Sequence, residues 1–102
     1  MNASVVVINP IIYAEVSSSY QKIEDLDKRL PIELYRRDEL PYEAAFLAAR
    51  AFVKYRRQGG SRTSPMPDFY IGAHAEVSGF RVLTRDPRRL RRYFPTVQLI
   101  TP

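Results

Sequence analysis

Pro67-Asp68-Phe69-Tyr70-Ile71-Gly72-Ala73-His74-Ala75, followed by Gly79-Phe80-Arg81-Val82-Leu83-Thr84-Arg85-Asp86, decides how this chain is read. The first part predicts a helix from Pro67 to about Ser78, with a carboxylate in its first turn and Gly79 as its stop. Phe80 to Thr84 predicts a short apolar strand, with a second carboxylate just past its C-terminal end. In an open α/β sheet, ligands and metals are held at the carboxyl ends of strands. Two acids delivered there by successive elements suggest a hard-cation site, because Mg²⁺ prefers carboxylate oxygens.

The flanking sequence supplies matching elements. Val5 to Ile8 is a continuous β-branched run, as expected of a parallel strand buried on both faces. Asn9-Pro10 predicts an N-cap with proline at the first helical position, opening a helix to about Tyr20. Ile11, Ile12, Ala14 and Val16 are its packing positions. Ile23, Leu26 and Leu30 are spaced for a second short helix ending before Pro31. Pro41 opens a longer helix over residues 41–57, with Ala44, Ala45, Ala48, Ala51, Phe52 and Tyr55 on one face and Gly59-Gly60 as its stop. Ser61 to Met66 is a polar loop. Pro87 to Tyr93 predicts a short Arg-rich helix, and Val97 to Ile100 a last strand. Strands alternating with helices predict an α/β fold with a parallel sheet. This reading contains three strands, fewer than the roughly five or six of an average sheet.

Composition narrows the chemistry. A chain of 102 residues is expected to form one domain, 1–102. It contains no run approaching the ~20 apolar residues of a transmembrane helix and no recognisable export signal, so the cytoplasm is the expected location. Zero Cys excludes disulfides, thiolate nucleophiles and Cys-based zinc sites, and one His leaves no material for a His-rich site. A metal site here is made of oxygen ligands. The net charge is +5, unevenly spread. Residues 24–43 carry seven acids against four bases, whereas residues 81–92 carry six arginines against Asp86 alone. Arginine favours bidentate contact with phosphate or carboxylate, so the C-terminal third suggests a phosphate backbone or an acidic protein as partner.

Four segments together resemble the PIN-domain ribonucleases, and most closely the VapC-type toxins of bacterial toxin–antitoxin systems. They are Asn9-Pro10-Ile11-Ile12-Tyr13-Ala14-Glu15, Pro67 to Ala75, Val82-Leu83-Thr84-Arg85-Asp86-Pro87-Arg88-Arg89 and Tyr93-Phe94-Pro95. The resemblance runs from about Val5 to Ile100. It implies a PIN-like parallel sheet flanked by helices, and cleavage of RNA at an acidic site around Mg²⁺ or Mn²⁺. Glu15, Asp68 and Asp86 match three of the family's acids, and Thr84 matches a position often held by a hydroxyl residue. Arg85, Arg88, Arg89, Arg91 and Arg92 become the expected contacts to the RNA backbone. A homodimer and an antitoxin whose tail covers the acidic site are the partners implied. The family's opening strand, with its first acid, has no counterpart in this sequence, so the chain is expected to be N-terminally truncated relative to the family. Such a chain is expected to be marginally stable or completed by association.

Each functional reading has a plain rival. Asp68 in a first turn favourably meets the helix macrodipole, and Asp86 before Pro87 is a good N-cap. Glu15 reads as a solvated mid-helix residue, and the arginines as a salt-bridged surface. His74 reads as packed or exposed rather than catalytic. Phe69, Tyr70, Tyr93 and Phe94 can stack bases, although core packing accounts for most of them. Gly72 reads as a point of close helix approach. Two other functions remain alongside the nuclease: a catalytically inactive remnant that still dimerises or binds antitoxin, and a non-enzymatic nucleic-acid-binding module.

Overall fold

Asn9 caps the first helix as its position suggests. Its side-chain oxygen accepts the Ile12 N–H at 2.9 Å, and Pro10 occupies the first helical position. The structure is a computed structural model in which residues 6–101 are described. Val5, the first residue of the expected opening strand, lies outside them. The chain divides into two compact units, 1–39 and 40–102.

The first unit runs β1 (Val6–Ile8), α1 (Pro10–Ser17), α2 (Ile23–Arg29) and β2 (Tyr35–Arg37). β1 and β2 pair in parallel, Val6 opposite Tyr35 and Ile8 opposite Arg37. The Asp38 N–H extends the ladder to the Ile8 carbonyl at 2.9 Å. Ile8, Leu26 and Leu30 form the core, flanked by Ile12, Tyr13, Val16, Tyr20 and Tyr35. α1 stops short of the expected Tyr20. Ser17 and Ser18 donate their hydroxyls back to the Tyr13 and Glu15 carbonyls, at 2.6 and 2.9 Å, and such local bonds compete with helix propagation. Ala14 and Ile23, expected to pack, are exposed. β2 was not anticipated, because Tyr35-Arg36-Arg37 shows neither an apolar run nor alternation.

The second unit runs α3 (Tyr42–Arg57), α4 (Pro67–Ser78), β3 (Val82–Leu83), α5 (Arg88–Tyr93) and β4 (Leu99–Ile100). Ala44, Ala48 and Ala51 are buried on α3, where small side chains let α4 approach closely. Gly79 closes α4 in the left-handed conformation at φ 74°, a conformation available to glycine without strain. β3 and β4 pair in parallel, Val82 opposite Leu99. Both are shorter than expected, and at their N-terminal ends the neighbouring N–H groups are used elsewhere. Phe80 donates to the Ala75 carbonyl at 2.9 Å in the α4 cap, and Val97 donates to the Phe94 carbonyl at 3.1 Å in a turn. Met66, assigned to a polar loop, is buried in the core. The result is an α/β chain with helices beside short parallel strands. Among the described residues the strands form two two-stranded ladders. No described helix is long and apolar enough to cross a membrane.

Candidate functional site

Pro67 starts α4 and places Asp68 in its first turn, where exposed N–H groups favour a carboxylate. The next residue, Phe69, is completely buried and anchors that turn. Its ring meets Tyr93 at 5.4 Å and Tyr55 at 5.6 Å, both edge-on. Asp68 therefore stands at the rim of an aromatic cluster, half-buried, with its backbone held from below. Arg89 donates to its Oδ2 at 3.2 Å.

Asp86 arrives from the other direction. β3 ends at Leu83, and the chain turns through Thr84-Arg85-Asp86. The Thr84 hydroxyl accepts the Asp86 N–H at 3.1 Å and shapes the turn. Asp86 was expected to cap α5 with Pro87 as the first helical residue. Pro87 is itself the cap residue, in right-handed conformation, although Asp86 Oδ1 still accepts the Arg88 N–H at 3.4 Å. The Arg88 guanidinium adds a two-pronged contact, 3.0 Å to Oδ1 and 3.2 Å to Oδ2. These hydrogen bonds, chiefly from the Arg88 side chain, and the charges of Arg88 and Arg89 hold the Asp86 carboxyl below its ordinary value. The same pairing raises the Arg88 guanidinium.

Arg89 ties the neighbourhood together. It pairs with Asp68, and its charge also favours the ionised forms of Asp86 and of the Tyr55 phenol. For Tyr55 the larger cause is the Arg62 N–H, which donates to the phenolic oxygen at 3.3 Å. Arg85 and Arg91 are exposed and form no ion pair among the described residues. Arg92 lies over the Tyr93 ring at 5.7 Å. The second unit thus brings Asp68 and Asp86 to neighbouring residues of α5, beside exposed arginines. Glu15 belongs to the first unit, on the exposed side of α1.

Within neither unit do three described His, Asp or Glu residues converge on a point a metal could occupy. Oxygen donors suit Mg²⁺. Both aspartates, however, are already neutralised by guanidinium groups, so the residues as arranged do not fit a bound divalent cation. Sequence reasoning favoured RNA for Arg88 and Arg89, with ion pairing within the domain or to an antitoxin as the rival, and named no particular acid as partner. The signal was present: an Asp-Pro-Arg turn puts opposite charges two residues apart where the chain reverses.

A second polar cluster was also missed. In the first unit Asp27 accepts from the Tyr13 hydroxyl at 2.8 Å and from Arg37 at 2.9 Å, linking α1, α2 and β2. Tyr13 chiefly, and Arg37 with it, lower the Asp27 carboxyl, and that same hydrogen bond raises the Tyr13 phenol. His74 is buried and meets the Phe80 ring edge-on at 5.4 Å, as a packed residue does.

The family model of the PIN domain matches residues 1–94. The chain belongs to the PIN-domain family. The match includes Asp68, Thr84, Asp86 and all of α5. Solved structures agree on the fold. A chain of VapBC-1 from nontypeable Haemophilus influenzae superposes with a TM-score of 0.74 at 16% identity, covering 99% of this PIN domain and 77% of that chain. A chain of VapBC2 from Rickettsia felis, bound to a DNA fragment from its promoter, gives 0.69 at 17% identity, over 95% and 74%. A chain of FitAB bound to an IR36 DNA fragment gives 0.66 at 20% identity, over 95% and 73%. No curated protein matches this PIN domain significantly.

Proposed function

We propose that this PIN domain is the nuclease component of a toxin–antitoxin pair, an Mg²⁺- or Mn²⁺-dependent endoribonuclease acting in the cytoplasm as a homodimer. The observation that carries the reading is that α5 holds both Asp68, from α4, and Asp86, from the turn after β3, each through an arginine, beside exposed arginines. Thr84 supports it by holding the Asp86 turn, and Glu15 is the further acid that the family resemblance implies for the metal. Arg85, Arg91 and Arg92 supply backbone contacts to RNA, joined by Arg88 and Arg89 when these exchange carboxylate for phosphate. The similarity to VapBC and FitAB chains supports an antitoxin as partner. So does the outer side of α3, where Tyr42 is 95% and Phe46 69% exposed, since bulky apolar side chains left in water mark a protein-binding surface.

The test is cleavage of single-stranded RNA by the full chain, with Mg²⁺ or Mn²⁺ and then with EDTA. Metal-dependent cleavage, reduced about 100-fold or more in Asp68→Asn, is expected for a carboxylate that takes part in proton transfer or orients the reacting groups. Folded protein that cleaves nothing under any condition would overturn it. It would favour the second reading, an inactive antitoxin-binding remnant. The guanidinium closure of both aspartates is what favours that alternative.

RNA binding is separately measurable. Arg91→Gln combined with Arg92→Gln should weaken binding similarly for all sequences and reduce the magnitude of the salt slope by about 1–2, since each lost phosphate contact removes roughly 0.7 from that slope on single strands. Fluorescence anisotropy across a salt series checks this. A slope identical to the original chain's would remove these two residues from the interface.

A further inference from the structure

We propose that residues 59–62, the loop leaving α3, form a phosphate-binding wall of the candidate site, where the Tyr55 hydroxyl donates to a phosphate oxygen of single-stranded RNA whose charge Arg62 and Arg89 share. The proposal rests on the nuclease reading for the identity of the polyanion. It adds Tyr55 and Arg62 to the residues that hold the substrate.

The sequence suggests only a helix stop and a polar loop at this point, but the loop is tied down. Gly60 donates its N–H to the Tyr55 carbonyl at 3.0 Å and lies so close to the Tyr55 ring that a Cβ would collide with it. Arg56 reaches back with Nη1 to the Gly60 carbonyl at 3.3 Å and the Arg62 carbonyl at 2.8 Å. Held in this way, the loop directs the Arg62 N–H to the Tyr55 phenolic oxygen at 3.3 Å, and Ser61 donates to the same oxygen. A phenol is both donor and acceptor, so an oxygen that accepts from the loop keeps its own proton for another partner. Among the described residues nothing accepts that proton.

The ring sets the direction of that donor. It stands edge-on to Phe69 at 5.6 Å and to Tyr93 at 6.3 Å, and Phe69 directly follows Asp68. The hydroxyl is within reach of the Arg89 charge. Arg89 uses only Nη1 on Asp68, whereas a guanidinium carries five N–H donors. Arg62 is exposed and forms no ion pair among the described residues. A neutral donor beside two guanidinium groups suits a phosphate, because arginine forks match its oxygens and the phenol adds a hydrogen bond to the anion. The half-buried Tyr55 and Tyr93 rings favour nucleic acid over an acidic peptide, since bases stack on such rings beside a bound backbone.

The experiment measures binding of a fluorescent, non-cleavable 2′-O-methyl RNA oligonucleotide to the full chain by anisotropy across a salt series. It compares the original protein, Tyr55→Phe and Arg62→Gln, each checked for folding by circular dichroism. Tyr55→Phe keeps the ring and removes only the hydroxyl. It should weaken binding about fivefold to tenfold at every salt concentration and leave the salt slope unchanged, because no charge is lost. Arg62→Gln should weaken binding and reduce the magnitude of the slope by about 0.7, the value for one phosphate contact on a single strand. Arg62→Gln alters an exposed side chain, so it decides the matter by itself if Tyr55→Phe does not fold. Unchanged RNA affinity in either folded variant overturns the proposal. So does a Tyr55→Phe protein with the lowered slope of Arg62→Gln, because the phenol would then only prop the loop. Polyglutamate binding that is lost in both variants while RNA binding is kept assigns the wall to an acidic protein and also overturns it. Cleavage of ordinary RNA with Mg²⁺ distinguishes this proposal from the reading beneath it. Weakened RNA binding in the variants with no cleavage by any protein supports the phosphate wall and removes the nuclease. Metal-dependent cleavage by the original chain, with both variants binding and cleaving as it does, keeps the nuclease and removes the wall.

Discussion

Phe69→Ala should cost about 3–5 kcal/mol of unfolding free energy, the range for emptying a buried phenylalanine site. Phe69 is fully buried and meets Tyr55 and Tyr93 edge-on, with Phe52 at 6.2 Å. A domain of this size is stabilised by only about 5–15 kcal/mol, so much of the chain's stability depends on this one ring. The effect extends to the candidate site. Phe69 follows Asp68 in the first turn of α4, and its burial fixes where the carboxylate stands. Urea unfolding of Phe69→Ala and Phe69→Leu checks the claim. Leucine keeps most of the volume and should cost less than about 1.5 kcal/mol. Equal losses in the two variants would show that the ring is not packed as described.

Gly72→Ala is the second large effect, and its sign is the informative part. In an exposed helix this change gains about 1 kcal/mol, because alanine is the better helix former. Here a Cβ would collide with Phe94 Cδ2 and lie 2.7 Å from Phe94 Cε2 and 2.9 Å from Leu90 Cδ2. Phe94 and Leu90 are each 2% exposed and packed in the core, so neither can give way without shifting its neighbours. The substitution should therefore destabilise by about 1–3 kcal/mol, as overpacking of a core does. Gly72 sets how closely α5 lies on α4, and hence the reach of Arg89 to Asp68. Gly72→Ala combined with Phe94→Leu should lose clearly less than the sum of the two single variants, since the second relieves the first. Additive losses, or a stabilised Gly72→Ala, would contradict this packing.

Much of the second unit was legible because its signals are local. Pro67 and Gly79 punctuate α4 through a fixed φ and a left-handed stop, and both act within a few residues. Alanines three and four apart on α3 forecast its buried face. The four matched segments carried the family in the same way. β2 was not legible, because Tyr35-Arg36-Arg37 is a strand only by pairing with β1, a partner about 29 residues away in the sequence. The short N-terminal ends of β3 and β4 were missed because the Phe80 and Val97 N–H groups satisfy a cap and a turn instead of a ladder.

The candidate site divides along the same line. Residue identity determined that any metal site must be built of oxygen, and that the acids lie at a helix start and a strand end. Asn9 as a cap and Gly72 as a contact point were also readable, since each depends on the residue's own chemistry and its immediate neighbours. The Arg88–Asp86 contact is local, two residues apart, but only the tertiary structure decided that Arg89 turns toward Asp68. A charge in a sequence does not name its partner. The close packing of α5 on α4 brings Arg89, 21 residues from Asp68, within hydrogen-bonding distance. Coulomb attraction acts through space at a few ångströms, and that distance exists only once the chain has folded.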